Sequence, residues 1–176
     1  MRVLVTGGCG YIGTELIKTL LNKKFKVISV DKKIFGDKLP KNKNLKNLKL
    51  CVSKIDKNIL KRVDAVIHLA AISNDPAALL NSKITWETNV LYTLHLLNEC
   101  KKAGIKKFLF ASSGSVYGVS NKIKVDEKTD LLPITDYNKT KMVGEKLVQN
   151  FSKFFQTVII RPGTVCGYSD NIRLDL

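Results

Sequence analysis

The glycine-rich turn after the first predicted strand constrains the fold of this chain more than any other feature. Arg2 to Val5 is a short apolar run typical of a buried strand, and from Tyr11 to Leu21 the apolar residues recur at helical spacing. Such a turn lets the main chain approach a ligand, and the free N–H groups at the helix N-terminus suit a pyrophosphate. The alternative is a turn whose glycines serve packing alone. The predicted cofactor-binding residues of this turn are Gly7, Gly10, Tyr11, Ile12 and Gly13.

The second predicted strand is followed by an acidic residue that suits a ribose. Lys26 to Val30 (KVISV) predicts the strand, and Asp31 comes directly after it. A carboxylate at this place would accept hydrogen bonds from the adenosine ribose hydroxyls and would repel a 2′-phosphate. Asp31 therefore favours NAD over NADP, although Lys32 and Lys33 follow at once and could accommodate a phosphate.

Predicted strands and helices alternate along the rest of the chain. Further strands are predicted over Asn47–Val52, Asp64–Ala70, Lys106–Ala111 and Gln156–Arg161, and helices over Lys83–Ala103 and Ile134–Phe154, with at most a short helix over Ile55–Leu60. This alternation is typical of an α/β fold, a doubly wound parallel sheet of the Rossmann type with helices on both faces. The whole chain, 1–176, is predicted to form one such domain, with ligands at the carboxyl ends of the strands.

The excess of basic residues raises the question of nucleic-acid binding. The chain has 30 Lys and Arg against 15 Asp and Glu, a formal net charge of +15. The lysines are scattered, however, and no basic run is interleaved with aromatic residues as in single-strand binders. We therefore expect solvated lysine-rich faces, no specific nucleic-acid partner, and only weak, steeply salt-dependent association with nucleic acids. The same charge favours anionic ligands such as nucleotide diphosphates.

Cysteine spacing and hydropathy argue against a metal-binding, a disulfide-linked and a membrane protein. Cys9, Cys51, Cys100 and Cys166 lie far apart without metal-ligand spacing, which predicts reduced thiols and no metal site. Cys9 lies in the glycine turn, where a helix dipole can lower a thiol pKa; a small filler residue is the favoured interpretation, and a redox-sensitive thiol is the alternative. No apolar run approaches the ~20 residues of a membrane span, and the first strand leaves no room for a signal peptide. These observations predict a cytoplasmic protein without membrane contact.

Two polar motifs are predicted at the same edge of the sheet. Tyr137 and Lys141 are four residues apart and share one face of the predicted helix, where the phenol and the ammonium can converge. A nearby ammonium lowers the pKa of a tyrosine toward working pH, as a general acid/base requires. Ser112–Gly118 (SSGSVYG) comes directly after the strand that ends at Ala111 and brings hydroxyls that can hydrogen-bond a substrate oxygen.

Taken together, these motifs resemble the extended short-chain dehydrogenase/reductases of the NAD-dependent epimerase/dehydratase family, which act on nucleotide-sugars. The resemblance covers essentially the whole chain and rests on TGGCGYIG (6–13), Asp31, HLAA (68–71), Thr88-Asn89, SSGSVYG (112–118), YNKTK (137–141) and RPGTVCG (161–167). By motif matching it implies Ser113 as the catalytic hydroxyl and Tyr137 as the catalytic base. It implies Lys141 as the residue that lowers the Tyr137 pKa and holds the nicotinamide ribose.

The resemblance also implies further binding residues. These are, along the NAD cofactor, Leu69, Ala70, Ala71 and Asn89, the last also holding the active-site helix; at the nicotinamide, Pro162 and Val165; and at the adenine, Ile55 and Asp56. Asn74, which follows the strand Asp64–Ala70 at the cleft edge, and Ser115 are predicted separately as substrate-binding residues. The stretch around Ile55 and Asp56 does not align cleanly with the family pattern. His68, beside the cofactor loop, is expected to be packed rather than catalytic.

Departures from the family pattern narrow the function. Sugar 4,6-dehydratases carry Asp-Glu after the catalytic hydroxyl residue, whereas this chain has Gly114-Ser115, so dehydration is disfavoured. The resemblance then implies epimerisation, in which Tyr137 takes a hydroxyl proton while NAD takes a hydride that is later returned. A nucleotide-sugar dehydrogenase or reductase, and a non-catalytic NAD-binding module, are the alternatives.

The family's C-terminal substrate-binding part has no counterpart in this sequence. We therefore expect the chain to bind NAD but to turn over a nucleotide-sugar poorly by itself, because binding energy that orients the substrate would be lacking. The resemblance further implies a homodimer through the helices Lys83–Ala103 and Ile134–Phe154.

Overall fold

Six parallel strands form the sheet in the computed structural model, which describes residues 1–119 and 124–172; residues 120–123 and 173–176 of the predicted domain lie outside this range. The strands are Arg2–Thr6 (β1), Lys26–Asp31 (β2), Leu45–Lys49 (β3), Ala65–His68 (β4), Lys107–Ala111 (β5) and Gln156–Ile160 (β6). Their spatial order is β3-β2-β1-β4-β5-β6. This order confirms the predicted doubly wound, Rossmann-type sheet.

Helices connect most of the strands. They are Tyr11–Asn22 (α1), Asp75–Leu80 (α2), Ser82–Trp86 (α3), Tyr92–Ala103 (α4) and Asp136–Asn150 (α5), with a π-helical segment at Glu87–Leu91 and 3₁₀ turns at Val52–Lys54 and Gly114–Tyr117. Among the helices of the described residues, none is both long and apolar enough to cross a bilayer.

Helices cover both faces of the sheet. Successive residues of a strand point to opposite sides, so a strand that is apolar throughout needs a covering layer on each face. Val3 and Val5 of β1 pack with Ile17 of α1 in one apolar cluster. Leu4, between them, belongs to a second cluster that includes Leu96 of α4 and further residues of α4 and α5. The core therefore consists of two layers, one on each side of β1.

The two outer strands of the sheet differ in character. Strand β3 presents Lys46 and Lys49 to solvent. Strand β6 pairs, among the described residues, with β5 alone, and its Val158 and Ile160 side chains are 46% and 41% exposed. One outer strand therefore presents charge, and the other presents apolar side chains.

Strand ends differ from the sequence predictions where a neighbouring strand stops. Strand β3 begins and ends earlier than predicted because it pairs in register with Val27 to Asp31 of β2. Strand β4 ends at His68 rather than at Ala70, since the Thr6 carbonyl accepts the Leu69 N–H and the Thr6 hydroxyl accepts the Ala70 N–H. The predicted short helix over 55–60 is replaced by turns after the 3₁₀ turn Val52–Lys54.

Helix starts follow capping side chains that the sequence analysis did not use. The helix predicted over Lys83–Ala103 consists of α3, the π-helical segment and α4, and α2 was not predicted. Asn74 begins α2 by accepting the Ala77 N–H at 2.9 Å. Thr135 begins α5 by accepting the Asn138 N–H at 3.2 Å, so the helix starts at Asp136 rather than at Ile134. It ends at Asn150, before the predicted end at Phe154.

Candidate active site

The glycine turn lies at the carboxyl end of β1 and is tightly packed. Gly7 has φ +71°, and a Cβ on it would lie 2.7 Å from the Ala70 nitrogen. A Cβ on Gly13 would collide with the carbonyl oxygen of Gly7. Helix α1 begins after Gly10, which has no side chain to cap it, and its first turn carries no acidic residue. This cradle, which side chains would fill, fits the pyrophosphate of a dinucleotide.

Asp31 lies at the end of β2, next to this turn. Its carboxylate accepts the Cys9 N–H at 3.0 Å and the Lys33 N–H at 2.6 Å. The Lys33 ammonium is engaged by Asp37 at 2.7 Å, and the Lys32 ammonium lies 5.8 Å from the centre of the Tyr92 ring. Asp31 thus stands where the sequence predicts a ribose contact, and one of the two lysines that could receive a phosphate is already paired.

Cys9 is a buried thiol with an acidic neighbourhood. Its Sγ lies 3.6 Å from Asp37 Oδ1. Burial, together with the charges of Asp31 and Asp37, raises the pKa of Cys9 to about 12. Because the thiolate is the reactive form, this environment favours the filler interpretation over a redox-sensitive thiol.

The loop after β4 is fastened to α5 through Asn89. The Asn89 side chain accepts the Ile72 N–H at 2.9 Å and donates to the Ile72 carbonyl at 3.0 Å. It also donates to the Thr140 hydroxyl at 3.0 Å. Asn89 lies in the π-helical segment, a geometry often found at functional sites. Leu69, Ala70 and Ala71 therefore follow β4 in a loop with a defined anchor on the helix that carries Tyr137.

His68 is a buried side chain beneath this loop. Its Nδ1 lies 2.6 Å from the Thr6 hydroxyl oxygen, and its Nε2 lies 2.8 Å from the Thr93 hydroxyl oxygen. Burial, assisted by the Lys141 charge, lowers the pKa of His68 to about 3. Both ring nitrogens are thus bound within the core, as expected for a packed histidine.

Tyr137 and Lys141 lie together on α5, both buried. The Lys141 ammonium donates to the Ala111 carbonyl at 2.8 Å and lies 5.8 Å from the centre of the Tyr137 ring. Burial lowers the pKa of Lys141 to about 8, against the opposing effect of the Glu145 carboxylate. Helix and strand approach closely here, since a Cβ on Gly144 would lie 2.6 Å from Phe110 Cζ. The ammonium is therefore held between β5 and α5.

Ser113 and Ser115 lie at the carboxyl end of β5. Their hydroxyl oxygens are 2.8 Å apart, and the Ser113 hydroxyl also accepts the Ser115 N–H at 3.2 Å. Ser113 caps the 3₁₀ turn Gly114–Tyr117, and the Gly114 N–H donates to the Pro162 carbonyl at 2.7 Å. Both serine hydroxyls and Pro162 thus belong to one edge of the sheet.

The remaining predicted residues lie in other settings. Ile55 is fully buried in the core, and its carbonyl oxygen lies 2.8 Å from His95 Nε2. Asp56 caps a surface turn by accepting the N–H groups of Asn58 and Ile59, each at 3.0 Å. The adenine contact assigned to Ile55 and Asp56 stays a prediction, as does the substrate contact of Asn74, whose side chain caps α2. Val165 is partly exposed.

A buried ion pair next to Ser112 was not predicted from the sequence. Glu145 binds Arg161 through two hydrogen bonds and accepts the Ser112 hydroxyl. The sequence places Glu145 on the helix face of Lys141, which lies four residues earlier, but nothing in its spacing points to Arg161. Within the described ranges, no group of three or more His, Cys, Asp and Glu side chains is arranged to hold a metal ion.

Comparison with known proteins gives a consistent result. A protein-family model described as the NAD dependent epimerase/dehydratase family matches residues 3–174. A putative UDP-glucose 4-epimerase from Methanocaldococcus jannaschii is 33% identical over 171 residues, covering 94% of this chain and 56% of that protein. The structure of UDP-N-acetylglucosamine 4-epimerase from Methanobrevibacter ruminantium M1 matches with a TM-score of 0.86 at 30% identity, covering 91% of this chain and 54% of that one.

A further solved structure contains the cofactor. The UDP-glucuronic acid 4-epimerase from Bacillus cereus, in complex with UDP-glucuronic acid and NAD, matches with a TM-score of 0.83 at 30% identity, covering 92% of this chain and 56% of that one. The chain spans about half the length of these relatives.

Proposed function

This chain belongs to the NAD-dependent epimerase/dehydratase family, and from that membership we propose that its site epimerises a nucleotide-sugar. The observation that carries the proposal is the buried Lys141 ammonium beside Tyr137, at the sheet edge that also carries Ser113 and the glycine turn. A site that only bound a dinucleotide would not need a buried cation next to a phenol.

The residues that would hold NAD are those of the turn and the loops around it. The N–H groups at the start of α1, at Tyr11 and Ile12, would bind the pyrophosphate, and Asp31 would bind the adenosine ribose. Leu69, Ala70 and Ala71 would line the cofactor, and Pro162 and Val165 would border the nicotinamide. When bound, NAD supplies a hydride acceptor that later returns the hydride.

Tyr137 would move the proton. Its phenol oxygen takes the proton of the substrate hydroxyl as the carbon is oxidised, and it returns the proton to the same oxygen when the carbon is reduced. The Lys141 ammonium favours the phenolate form of Tyr137, because an opposite charge nearby stabilises the ionised phenol. With a pKa of about 8, Lys141 is still mostly charged at neutral pH. Ser113 would hydrogen-bond the substrate oxygen throughout, with Ser115 beside it.

Epimerisation is favoured over dehydration by the turn after Ser113. Water loss requires a group that removes a proton from the carbon next to the ketone, and Gly114-Ser115 offers no carboxylate. A net dehydrogenase or reductase would use the same three side chains and is the second candidate. An epimerase leaves the amounts of NAD and NADH unchanged, whereas a net dehydrogenase forms NADH and a net reductase consumes it.

The first test is a thermal-shift titration of this chain with NAD and, separately, with NADP. We expect a saturable rise of Tm with NAD. At an NAD concentration a hundredfold above Kd, binding adds about 2.7 kcal/mol to the free energy of unfolding. We expect Asp31→Asn to weaken the preference for NAD, because the negative charge that repels a 2′-phosphate is removed. Asp64→Asn is the matched control, since Asp64 accepts the Arg2 N–H at the opposite edge of the sheet. A preference of the unmodified chain for NADP, or no shift with either, would contradict the proposal.

The second test is product analysis by NMR with a panel of nucleotide-sugars. An epimer formed without NADH supports epimerisation, and stoichiometric NADH supports the dehydrogenase. Tyr137→Phe, which removes only the phenol oxygen, should abolish either reaction while leaving the NAD-dependent thermal shift in place.

The homodimer predicted through the helices Lys83–Ala103 and Ile134–Phe154 is tested by light scattering. A second copy packed on these helices would give twice the mass of the chain, independent of NAD.

A further inference from the structure

A buried ion pair joins three elements beside the candidate active site. Glu145 is fully buried in α5, and its carboxylate accepts hydrogen bonds from Arg161 Nε at 2.9 Å and from Arg161 Nη2 at 2.7 Å. Arg161 Nη1 donates to the Tyr117 hydroxyl at 2.9 Å. An ion pair of this kind is a weak source of net stability, because desolvation of both charges offsets their attraction. Its place next to Ser113 points to a role in geometry.

On the side of α5, the two residues before Ser113 are fastened to successive turns of the helix. The Ala111 carbonyl accepts the Lys141 ammonium at 2.8 Å, and the Ser112 hydroxyl donates to the Glu145 carboxylate. Because Lys141 and Glu145 are four residues apart, they lie on one face of α5. The end of β5 is therefore bound to this face at two consecutive positions.

On the side of β6, the residues that flank Ser113 are fastened to the segment that carries Arg161. The Ser112 N–H donates to the Ile160 carbonyl at 2.8 Å, and the Gly114 N–H donates to the Pro162 carbonyl at 2.7 Å. Arg161 lies between these two acceptors, and its guanidinium reaches back to Glu145. The backbone on both sides of Ser113 is thus held in one closed circuit.

We propose that Glu145 is a positioning residue, which acts through Ser112 and Arg161 to fix Ser113 relative to Tyr137 and Lys141. This inference rests on the proposed function, because the position of Ser113 matters for the proton transfer proposed above. Tyr137, Lys141 and Glu145 follow one another at intervals of four residues. The helix therefore presents the proton-transfer group, its cation and the anchor of the neighbouring loop on one face.

The surroundings of Lys141 supply a measurement that needs no turnover. Among the described residues, the titratable groups around its ammonium include Glu145, His68 and Tyr137, whose ring centre lies 5.8 Å away. The Phe110 ring centre lies 5.2 Å away. The Glu145 charge raises the pKa of Lys141 and opposes the effect of burial. Removing that charge should therefore lower the Lys141 pKa.

The test is an NMR titration of lysine side chains in the chain and its variants, with the Lys141 signal identified by its loss in Lys141→Met. In Glu145→Gln we expect the pKa of Lys141 to fall by about one pH unit, the low end of the effect of an opposite charge within a few ångströms. The double variant Glu145→Gln/Arg161→Gln removes both charges and leaves none buried and unpaired. Should the single variant fail to fold, the double variant is measured instead; its Lys141 pKa should fall by less, because loss of the Arg161 positive charge partly offsets loss of the Glu145 negative charge.

Glu99→Gln is the matched control, because Glu99 is a mostly buried carboxylate that pairs with Lys102 at 2.6 Å on α4. It should leave the Lys141 pKa unchanged. Where the unmodified chain turns over a nucleotide-sugar, the double variant should lower kcat at least about tenfold with KM unchanged, as loss of geometry in the reacting state predicts.

A Lys141 pKa that stays constant while stability falls would overturn the proposal, since Glu145 would then be structural only. An unchanged kcat in the double variant would do the same. If the unmodified chain shows no turnover while the Lys141 pKa responds as expected, the coupling of Glu145 to the Lys141 ammonium stands and the proposed function alone fails.

Discussion

Replacement of Lys141 by methionine should stabilise the chain although it removes a residue of the proposed catalytic machinery. The pKa of Lys141 is lowered from its ordinary value of 10.5 to about 8. Each pH unit corresponds to about 1.4 kcal/mol, so charging this side chain in the fold costs about 3 kcal/mol at pH 7. The Ala111 carbonyl loses its donor in the variant, at a cost of about 1 kcal/mol. The net gain is about 2 kcal/mol, or about 4–8 °C in Tm for a chain of this size.

The pH dependence identifies the cause of this gain. Between pH 8 and 10.5 the unfolded chain binds more protons at this side chain than the folded chain, so the stability of the unmodified protein rises with pH in this window. Below pH 8 both states are protonated and the cost is constant. The advantage of Lys141→Met should therefore shrink by about 2 kcal/mol between pH 7 and pH 9.5.

The assay is urea unfolding at both pH values, followed by circular dichroism. Lys146→Met is the matched control, because Lys146 is exposed on the same helix; its effect should stay within about 0.5 kcal/mol at both pH values. A Lys141→Met variant that is less stable at pH 7, or a difference that does not change with pH, would refute the reasoning.

Two further predictions concern other buried groups. Because the pKa of His68 is lowered from 6.5 to about 3, its imidazole should destabilise the fold by about 2 kcal/mol as the pH falls from 7.5 to 5. The difference in free energy of unfolding between the unmodified chain and His68→Gln, measured by urea unfolding, should therefore narrow by this amount between pH 7.5 and 5. A difference that does not change with pH would contradict the burial of a neutral His68. The second prediction rests on the pKa of Cys9, which is raised from 9.0 to about 12, so that its thiolate fraction at pH 8 is lowered about a thousandfold. Iodoacetamide should therefore label exposed Cys166 long before Cys9, as followed by mass spectrometry; equal rates would show that the turn opens readily.

Much of the fold could be predicted because local patterns and tertiary structure agree. The apolar runs of β1 and β2, the glycine turn and the helical spacing of α1 each specify the same strand–turn–helix unit. The predicted ends were wrong where a neighbour decides them. Strand β3 has little apolar pattern of its own, and its bounds follow the register with Val27 to Asp31.

The sequence predicts which residues form the candidate site. It does not predict which side chains and backbone groups they bind. The spacing of Tyr137 and Lys141 places both on one face, and the structure does so. Nothing in the sequence indicates that Asn89 would reach both Ile72 and Thr140, because these partners lie 17 and 51 residues away along the chain and Asn89 lies in a π-helical segment that helical spacing does not predict. The Glu145–Arg161 pair joins α5 to the residue after β6, and only the packing of α5 against β6 brings the two together.

The unequal outer strands have a colloidal consequence. Lysines on β3 and a net charge of +15 keep copies of the chain apart at low ionic strength, while Val158 and Ile160 on β6 favour contact between them. Added salt shortens the range of the repulsion to about 3 Å at 1 M without weakening the apolar attraction. The chain should therefore be most soluble in dilute buffer and should associate as salt is raised, the opposite of a protein whose copies attract through opposite charges.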